Sequence, residues 1–193
     1  MRIQRDGDYR VRSNLLIFVF LLASVQVAAQ GPANRGELFA GIGASRVGGD
    51  EGSLGNGPYL LGGVGFRLAT RASVEVDAFR AQHEREIAGG PLEGTATGVF
   101  GNVVYHFSEG RTQVFVTGSA GLLRSETTHT YPVGGTPTTF RSEENGFAWG
   151  GGGGVKIFLT PRFSLRPQFR LVFSEATGVM GLAAASIGTG YHW

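Results

Sequence analysis

The chain has 193 residues, of which 33 are glycine, none is cysteine and 17% are charged. The glycines follow no Gly-X-Y period and aromatic residues make up 11%, which excludes collagen and a disordered low-complexity chain. The lack of cysteine excludes thiolate metal sites and cysteine nucleophiles, while the formal charge of +2 first suggests nucleic-acid binding.

The first 29 residues have the three parts of a secretory signal peptide. Four arginines lie between positions 2 and 12, an apolar run occupies 15–23, and small residues stand at 27–29. The run is shorter than the ~20 residues that a membrane-spanning helix needs. We therefore predict a signal peptide over 1–29, cleaved after Ala29, and one exported domain over 30–193; an uncleaved anchor is the alternative.

The net positive charge of the chain comes from this leading segment. It holds four arginines and two aspartates, so the remaining 164 residues carry no net formal charge. Nucleic acid is therefore not expected as a partner.

The exported part alternates between two kinds of side chain with period two, which is typical of β-strands. No sustained apolar stripe at helical spacing is present there. The pattern predicts eight strands, at 37–45, 58–68, 73–83, 95–107, 112–123, 146–159, 163–173 and 180–193.

Each strand has one apolar face and one face of glycine and polar residues. The links at 69–72, 108–111 and 160–162 are short, and those between them are mostly longer and polar. Short periplasmic turns, longer outer loops and apolar-out, polar-in strands are typical of outer-membrane barrels. We therefore predict an all-β fold, a monomeric eight-stranded antiparallel up-and-down transmembrane β-barrel with both termini in the periplasm.

A soluble barrel or sandwich is the alternative fold. The run of five glycines at 150–154 would be a poor strand in water, although in a narrow barrel it allows tight curvature. Lys156 is the single lysine, whereas soluble sheets usually carry many surface charges. Both observations favour the membrane barrel.

Aromatic residues concentrate near the predicted strand ends, where rings with a polar edge suit the membrane interface. We expect one girdle on the periplasmic side and one on the outer side. The periplasmic set is Phe66, Tyr105, Phe107, Tyr191 and Trp193, and the outer set is Tyr59, Phe147, Trp149 and Phe173.

Three segments carry a resemblance to a known family: the alternating C-terminal strand 187–193, the strand 165–173 after a tight turn, and the glycine-rich strand 115–121. They resemble the small eight-stranded outer-membrane β-barrels, the group of OmpX-like proteins and the OmpA transmembrane domain. The resemblance implies that the outer-membrane insertion machinery, aided by periplasmic chaperones, reads Ile187, Tyr191 and Trp193 as an assembly signal. Pro167 departs from a regular strand because it removes one ladder donor, a defect that a local bulge could absorb.

Ionisable side chains on the inward face are the candidate functional site. We expect them to form a hydrogen-bonded ion-pair network, because unpaired charges in a narrow lumen are costly. The network would be a structural plug, with a gated ion path and a catalytic site as alternatives. Its predicted members are Arg67, Glu75, Asp77, Lys156, Arg166 and Arg170.

No metal, cofactor or catalytic residue is predicted. The four histidines are dispersed. A hydrolase triad of His106, Ser119 and Asp77 is conceivable in principle, but register places His106 much nearer the turn. We predict a structural or surface-interaction role through the outer loops, of which 124–145 is the longest. A narrow ion-conducting pore and a lipid-modifying enzyme are the alternatives, and the expected surroundings are outer-membrane lipid and lipopolysaccharide.

Overall fold

The computed structural model describes residues 36–49, 52–87, 90–133, 136–174 and 180–193. The predicted signal peptide lies outside these residues and stays a prediction. None of the described residues forms a helix long and apolar enough to cross a membrane. The described residues form eight strands: β1 Gly36–Gly49, β2 Gly52–Ala69, β3 Ala72–Ile87, β4 Gly90–His106, β5 Thr112–Val133, β6 Thr136–Phe158, β7 Phe163–Ser174 and β8 Met180–His192.

The eight strands form one closed antiparallel barrel in chain order, as the sequence predicts. Following paired residues around the wall from Gly36 leads back to β1 at Arg46, ten residues further on. A shear of ten with eight strands tilts the strands by about 40° to the barrel axis, so each residue rises about 2.5 Å. Closure is completed where the backbones of Gly36 and Trp193 exchange two hydrogen bonds of 3.1 Å.

The two faces of the strands separate as the alternation predicts. Apolar side chains such as Leu60, Val103 and Ile187 are exposed on the outer wall, whereas Glu75, Asp77 and Lys156 are buried inside. In a membrane this exposed apolar wall contacts lipid. Because lipid favours apolar side chains and disfavours charged ones, the outer wall carries few charges.

Six of the strands, β1 to β6, extend by four or more residues beyond one of their predicted ends. The largest difference is at 124–145, predicted as a loop, where β5 and β6 continue as a paired hairpin up to Val133 and Thr136. The prediction was wrong there because both faces of the hairpin leave the membrane. With water on both sides, its side chains lose the apolar–polar alternation that marks a half-buried strand.

Inward glycines of β6 lie where the neighbouring strand approaches most closely. A Cβ added at Gly150 or Gly152 would lie 2.2 Å from a backbone oxygen of β7, and one at Gly154 would lie 2.4 Å from the Pro167 oxygen. At these positions the wall curves too tightly for any side chain. The glycine run therefore serves curvature in this barrel.

Pro167 interrupts the ladder between β6 and β7 without shifting its register. Gly154 pairs with Gln168 and Ile157 with Leu165, and these two pairs keep one common register across the gap. The described part of β7 therefore accommodates the proline without a bulge. Proline lacks the N–H that a continuous ladder would need at this point. Pairing between β6 and β7 is therefore interrupted at Pro167 and continues beyond it.

The periplasmic girdle is exposed on the outer wall as predicted, and the outer girdle differs in one member. Phe147 and Trp149 face outward, but Tyr59 is only 1% exposed and lies inside the lumen against Phe79. The parity of β2 explains the difference, because Tyr59 follows the outward Pro58 and precedes the outward Leu60.

Candidate functional site in the barrel lumen

The six ionisable residues predicted for the lumen all point inward, but they do not form one network. Glu75, Lys156 and Arg166 belong to one cluster, and Asp77 and Arg170 to a second one above it. Arg67 joins neither cluster, and donates instead to Gln113 Oε1 at 2.7 Å near the periplasmic mouth.

The first cluster, which we call the periplasmic ion cluster, consists of Glu37, Glu75, Lys156 and Arg166. Arg166 donates to both carboxylate oxygens of Glu75, at 3.1 and 2.6 Å, and approaches Glu37 at 3.5 Å. Lys156 donates to Glu75 at 3.2 Å and also to Glu37. Two cations thus share two carboxylates, and the bidentate Arg166–Glu75 contact is the strongest geometry that such a pair can adopt.

The second cluster consists of Asp77, Asn102 and Arg170. Arg170 donates to both oxygens of Asp77, one of them at 2.8 Å, and to Asn102 Oδ1 at 3.1 Å. Asn102 in turn donates to Asp77 Oδ2 at 2.9 Å. Every charged group of the two clusters therefore has a partner of opposite charge, and together the clusters contain three carboxylates and three cations.

Aromatic rings form the walls around both guanidinium groups. The Arg166 guanidinium carbon lies 4.2 Å from the centre of the Phe39 ring and 4.8 Å from that of Phe115. Arg170 lies between Phe79 and Phe100, at 5.9 and 5.7 Å. These rings exclude water and interact favourably with the cations through their faces.

Above the charges, the lumen is filled by an apolar layer. Phe79 and Phe100 stack with ring centres 5.6 Å apart, and Tyr59 packs on Phe79 at 5.4 Å. This layer was missed by the sequence analysis, which assigned only glycine and polar groups to the inward face. Parity would have revealed it, since Phe79 and Phe100 occupy inward positions. Its other buried members include Val47, Leu61, Leu123, Val172 and Leu182.

Below the charges, the lumen opens into a polar vestibule of about 360 Å³ at the periplasmic mouth. His106 and Ser73 are hydrogen-bonded there at 3.1 Å, and His192 and Ser164 at 2.9 Å. From the end with the short turns to the end with the long hairpin, the lumen therefore holds a polar vestibule, two ion-pair clusters and an apolar layer.

The two Ser–His pairs do not form hydrolase triads. In such triads an acid orients the histidine through the ring nitrogen that does not contact the serine. The Nδ1 of His106 has no hydrogen-bond partner among the described residues. The carboxylate nearest His192, Glu37, lies 3.9 Å from Nε2, the nitrogen that already contacts Ser164. Among the described residues, no group of three His, Asp or Glu side chains could hold a metal ion.

Glu37 is the ionisable member that the sequence analysis left out of the lumen network. It is the first residue of the predicted first strand, on the same face as Phe39, and its partner Lys156 is 119 positions away. Its inward parity was readable from the sequence, but its partner was not.

The predicted assembly-signal residues Ile187, Tyr191 and Trp193 all lie on the exposed outer wall of β8. Tyr191 packs against Phe163 and Trp193, with ring centres 5.3 and 6.3 Å apart. Their role in assembly stays a prediction.

No curated protein matches the sequence. Among solved structures, Neisserial surface protein A (NspA) is similar with a TM-score of 0.65 and 16% identity, over 82% of this chain and 97% of that one. Ail of Yersinia pestis, solved with the heparin analogue sucrose octasulfate, gives a TM-score of 0.61 at 15% identity, over 83% and 99%. OprG of Pseudomonas aeruginosa gives 0.54 at 12%, over 86% and 99%. At these identities the likeness is one of fold.

The solved structures share the fold, and the family is assigned from the sequence. Lipid-facing apolar strands, a polar lumen and closure in chain order are all features of one membrane barrel. Residues 15–192 match the family model of the outer membrane protein beta-barrel domain, and the chain therefore belongs to that family of outer-membrane proteins.

Proposed function

We propose that this protein is a non-catalytic, monomeric outer-membrane barrel that presents the β5–β6 hairpin as its surface-interaction element. The observation that carries the proposal is the length of this hairpin, in which 22 and 23 residues are paired up to the turn. At about 2.5 Å per residue, the eleven residues that follow Leu122, up to Val133, project the tip roughly 28 Å beyond the outer membrane border.

Ion pairs within β5 and between β5 and β6 connect the side chains of the hairpin. Arg124 pairs with Glu126 and Glu143 at 2.8 and 2.9 Å, and Arg141 pairs with Glu126 at 2.7 Å. Because both arginines are engaged by carboxylates, the hairpin does not present a free basic patch. A highly sulfated ligand, such as the heparin analogue bound to Ail, is therefore not part of the proposal.

The edge of the hairpin formed by β6 favours a protein as the partner. Pairing of β6 with β7 begins only at Ala148 and Ser174, so within the described residues β6 above Ala148 has a neighbour on one side only. An edge strand of this kind suits the addition of a strand from another protein.

A deletion tests this role. A variant that lacks residues 127–142, with the shortened strands rejoined by a tight turn, keeps the membrane part of the barrel. Cells that display the wild type should adhere to at least one of a panel of immobilised extracellular proteins, and cells with the variant should not. Heat-modifiable gel mobility verifies that the variant folds. Equal adhesion by both, with the variant folded, would contradict the proposal.

The sealed lumen argues against the alternative of a narrow pore. Ion-pair clusters and an apolar layer lie in series, and a dewetted apolar constriction blocks ions even where charges rearrange. In planar bilayers we expect no steady openings from the purified barrel. Sustained, ion-selective openings would favour the pore instead.

A further inference from the structure

The lipid-facing wall carries an oblique groove of about 780 Å³. Its floor is a row of small residues on four adjacent strands that are paired in register: Thr189, Ala40, Gly62 and Ala78. The floor crosses three inter-strand spacings of about 4.8 Å, or about 14 Å, the length of roughly eleven methylene groups.

Bulky residues border this floor on both sides. The row above it consists of Ile187, Ile42 and Leu60 and ends at Arg80. The row below consists of Tyr191, Leu38, Val64 and Val76, all of them exposed on the outer wall. A channel one side chain deep therefore rises diagonally from β8 to β3.

Backbone packing in the barrel wall does not require a glycine at the floor of the groove. A Cβ added at Gly62 would meet only the Phe39 carbonyl oxygen, at 3.7 Å, which is an ordinary contact. The inward glycines of β6 differ, because a side chain there would collide with the next strand. The curvature of the barrel thus accounts for Gly152 but leaves Gly62 unexplained.

A cation lies at the upper end of the groove. Arg80 points outward from β3, eight residues above the periplasmic end of the strand at Ala72, which places its Cα about 20 Å up a lipid-facing band of about 25 Å. Its guanidinium forms no hydrogen bond or ion pair with any described residue. A long side chain at this depth extends toward the headgroups of the outer leaflet.

We propose that the groove binds one molecule of a phosphorylated glycolipid of the lipid A class, with an acyl chain along Thr189, Ala40, Gly62 and Ala78 and a phosphate on Arg80. The length of the floor fits one acyl chain, and the free cation stands at the end that faces the outer leaflet. Arginine binds phosphate through two parallel N–H···O contacts, which gives the headgroup a defined position.

The test measures how many lipid A molecules the purified, folded barrel retains in detergent micelles, by native mass spectrometry across a lipid A titration. We expect one copy to bind preferentially to the wild type. Gly62→Leu, which fills the floor, and Arg80→Gln, which removes the cation, should each weaken that binding by about tenfold. Ala78→Leu is a second way to fill the floor if Gly62→Leu does not fold.

Gly118→Leu is the matched control. Gly118 also faces outward at a similar depth, on β5, and a Cβ there would meet nothing within 4 Å. This variant should bind lipid A as the wild type does. Binding by folded Gly62→Leu and Ala78→Leu variants equal to that of the wild type would overturn the groove as the site.

A comparison of lipids separates the two parts of the site. With dephosphorylated lipid A, Arg80→Gln should bind as well as the wild type, whereas Gly62→Leu should still bind more weakly. If phosphatidylglycerol binds as tightly as lipid A and shows the same dependence on Arg80 and Gly62, the assignment to a phosphorylated glycolipid is wrong. None of these outcomes depends on the hairpin, so the groove is tested separately from surface interaction.

Discussion

Lys156 on β6 and Arg166 on β7 are cross-strand neighbours of like charge that are held together by a shared carboxylate. The register on either side of the Pro167 gap places them opposite each other, and both donate to Glu75 Oε1, at 3.2 and 3.1 Å. Two adjacent cations repel each other in a lumen of low dielectric unless an anion lies between them. Glu75 therefore holds the two strands together where their backbone ladder is interrupted.

Loss of Glu75 should destabilise the barrel strongly. Glu75→Ala leaves two buried cations with Glu37 as their remaining carboxylate, and breaking such a cluster costs about 3–5 kcal/mol of the free energy of unfolding. Glu37→Ala should cost less, because the bidentate Arg166–Glu75 contact survives. Urea unfolding in lipid vesicles measures both, and Glu75→Gln, which keeps the shape, isolates the charge. Equal stability of the wild type and Glu75→Ala would contradict the ion-pair network.

The Asp77–Arg170 pair should show strong energetic coupling. Asp77→Ala and Arg170→Ala each leave one buried charge without its partner, so each variant is destabilised. The double variant leaves no unpaired charge, and its loss should be smaller than the sum of the two single losses by about 2 kcal/mol. The measurement is a double-mutant cycle of unfolding free energies. Additive losses would show that the pair makes no net contribution.

Two glycines on the wall should respond to alanine in opposite directions. Gly152→Ala places a Cβ 2.2 Å from the Phe169 oxygen and should destabilise the fold by about 1–3 kcal/mol. Gly118→Ala meets nothing within 4 Å and should stabilise it by about 0.5–1 kcal/mol, because alanine has less backbone freedom to lose. Unfolding midpoints under identical conditions compare the two, and similar effects would show that curvature does not exclude side chains at Gly152.

The C-terminal residue should matter more for assembly in cells than for stability. Trp193→Ala keeps the two backbone hydrogen bonds to Gly36 that close the barrel. Refolding from urea into vesicles should therefore stay close to that of the wild type, whereas the amount of folded protein in the outer membrane should fall several-fold. The heat-modifiable fraction measures both quantities. If the two fall together, Trp193 acts in packing and not as a signal.

Much of the fold was predictable because alternate residues of each strand in a membrane barrel face lipid and the lumen, and the two environments select different side chains. Leu60 and Val64 had to face lipid, and Glu75 and Asp77 had to face the lumen, so parity alone assigned each side chain to a face. Tyr59 and Phe79 show where this reasoning was incomplete. Their inward positions were readable, but apolar side chains were expected only on the lipid side.

The sequence by itself determined eight strands, their order and their two faces, because these follow from local alternation and short turns. Only the tertiary structure decided which charges meet, since Glu75 and Arg166 are 91 positions apart and their contact depends on closure with a shear of ten. It also decided that β5 and β6 remain paired beyond the membrane. There water bathes both faces, and backbone hydrogen bonds between the strands hold the hairpin without any alternation in the sequence.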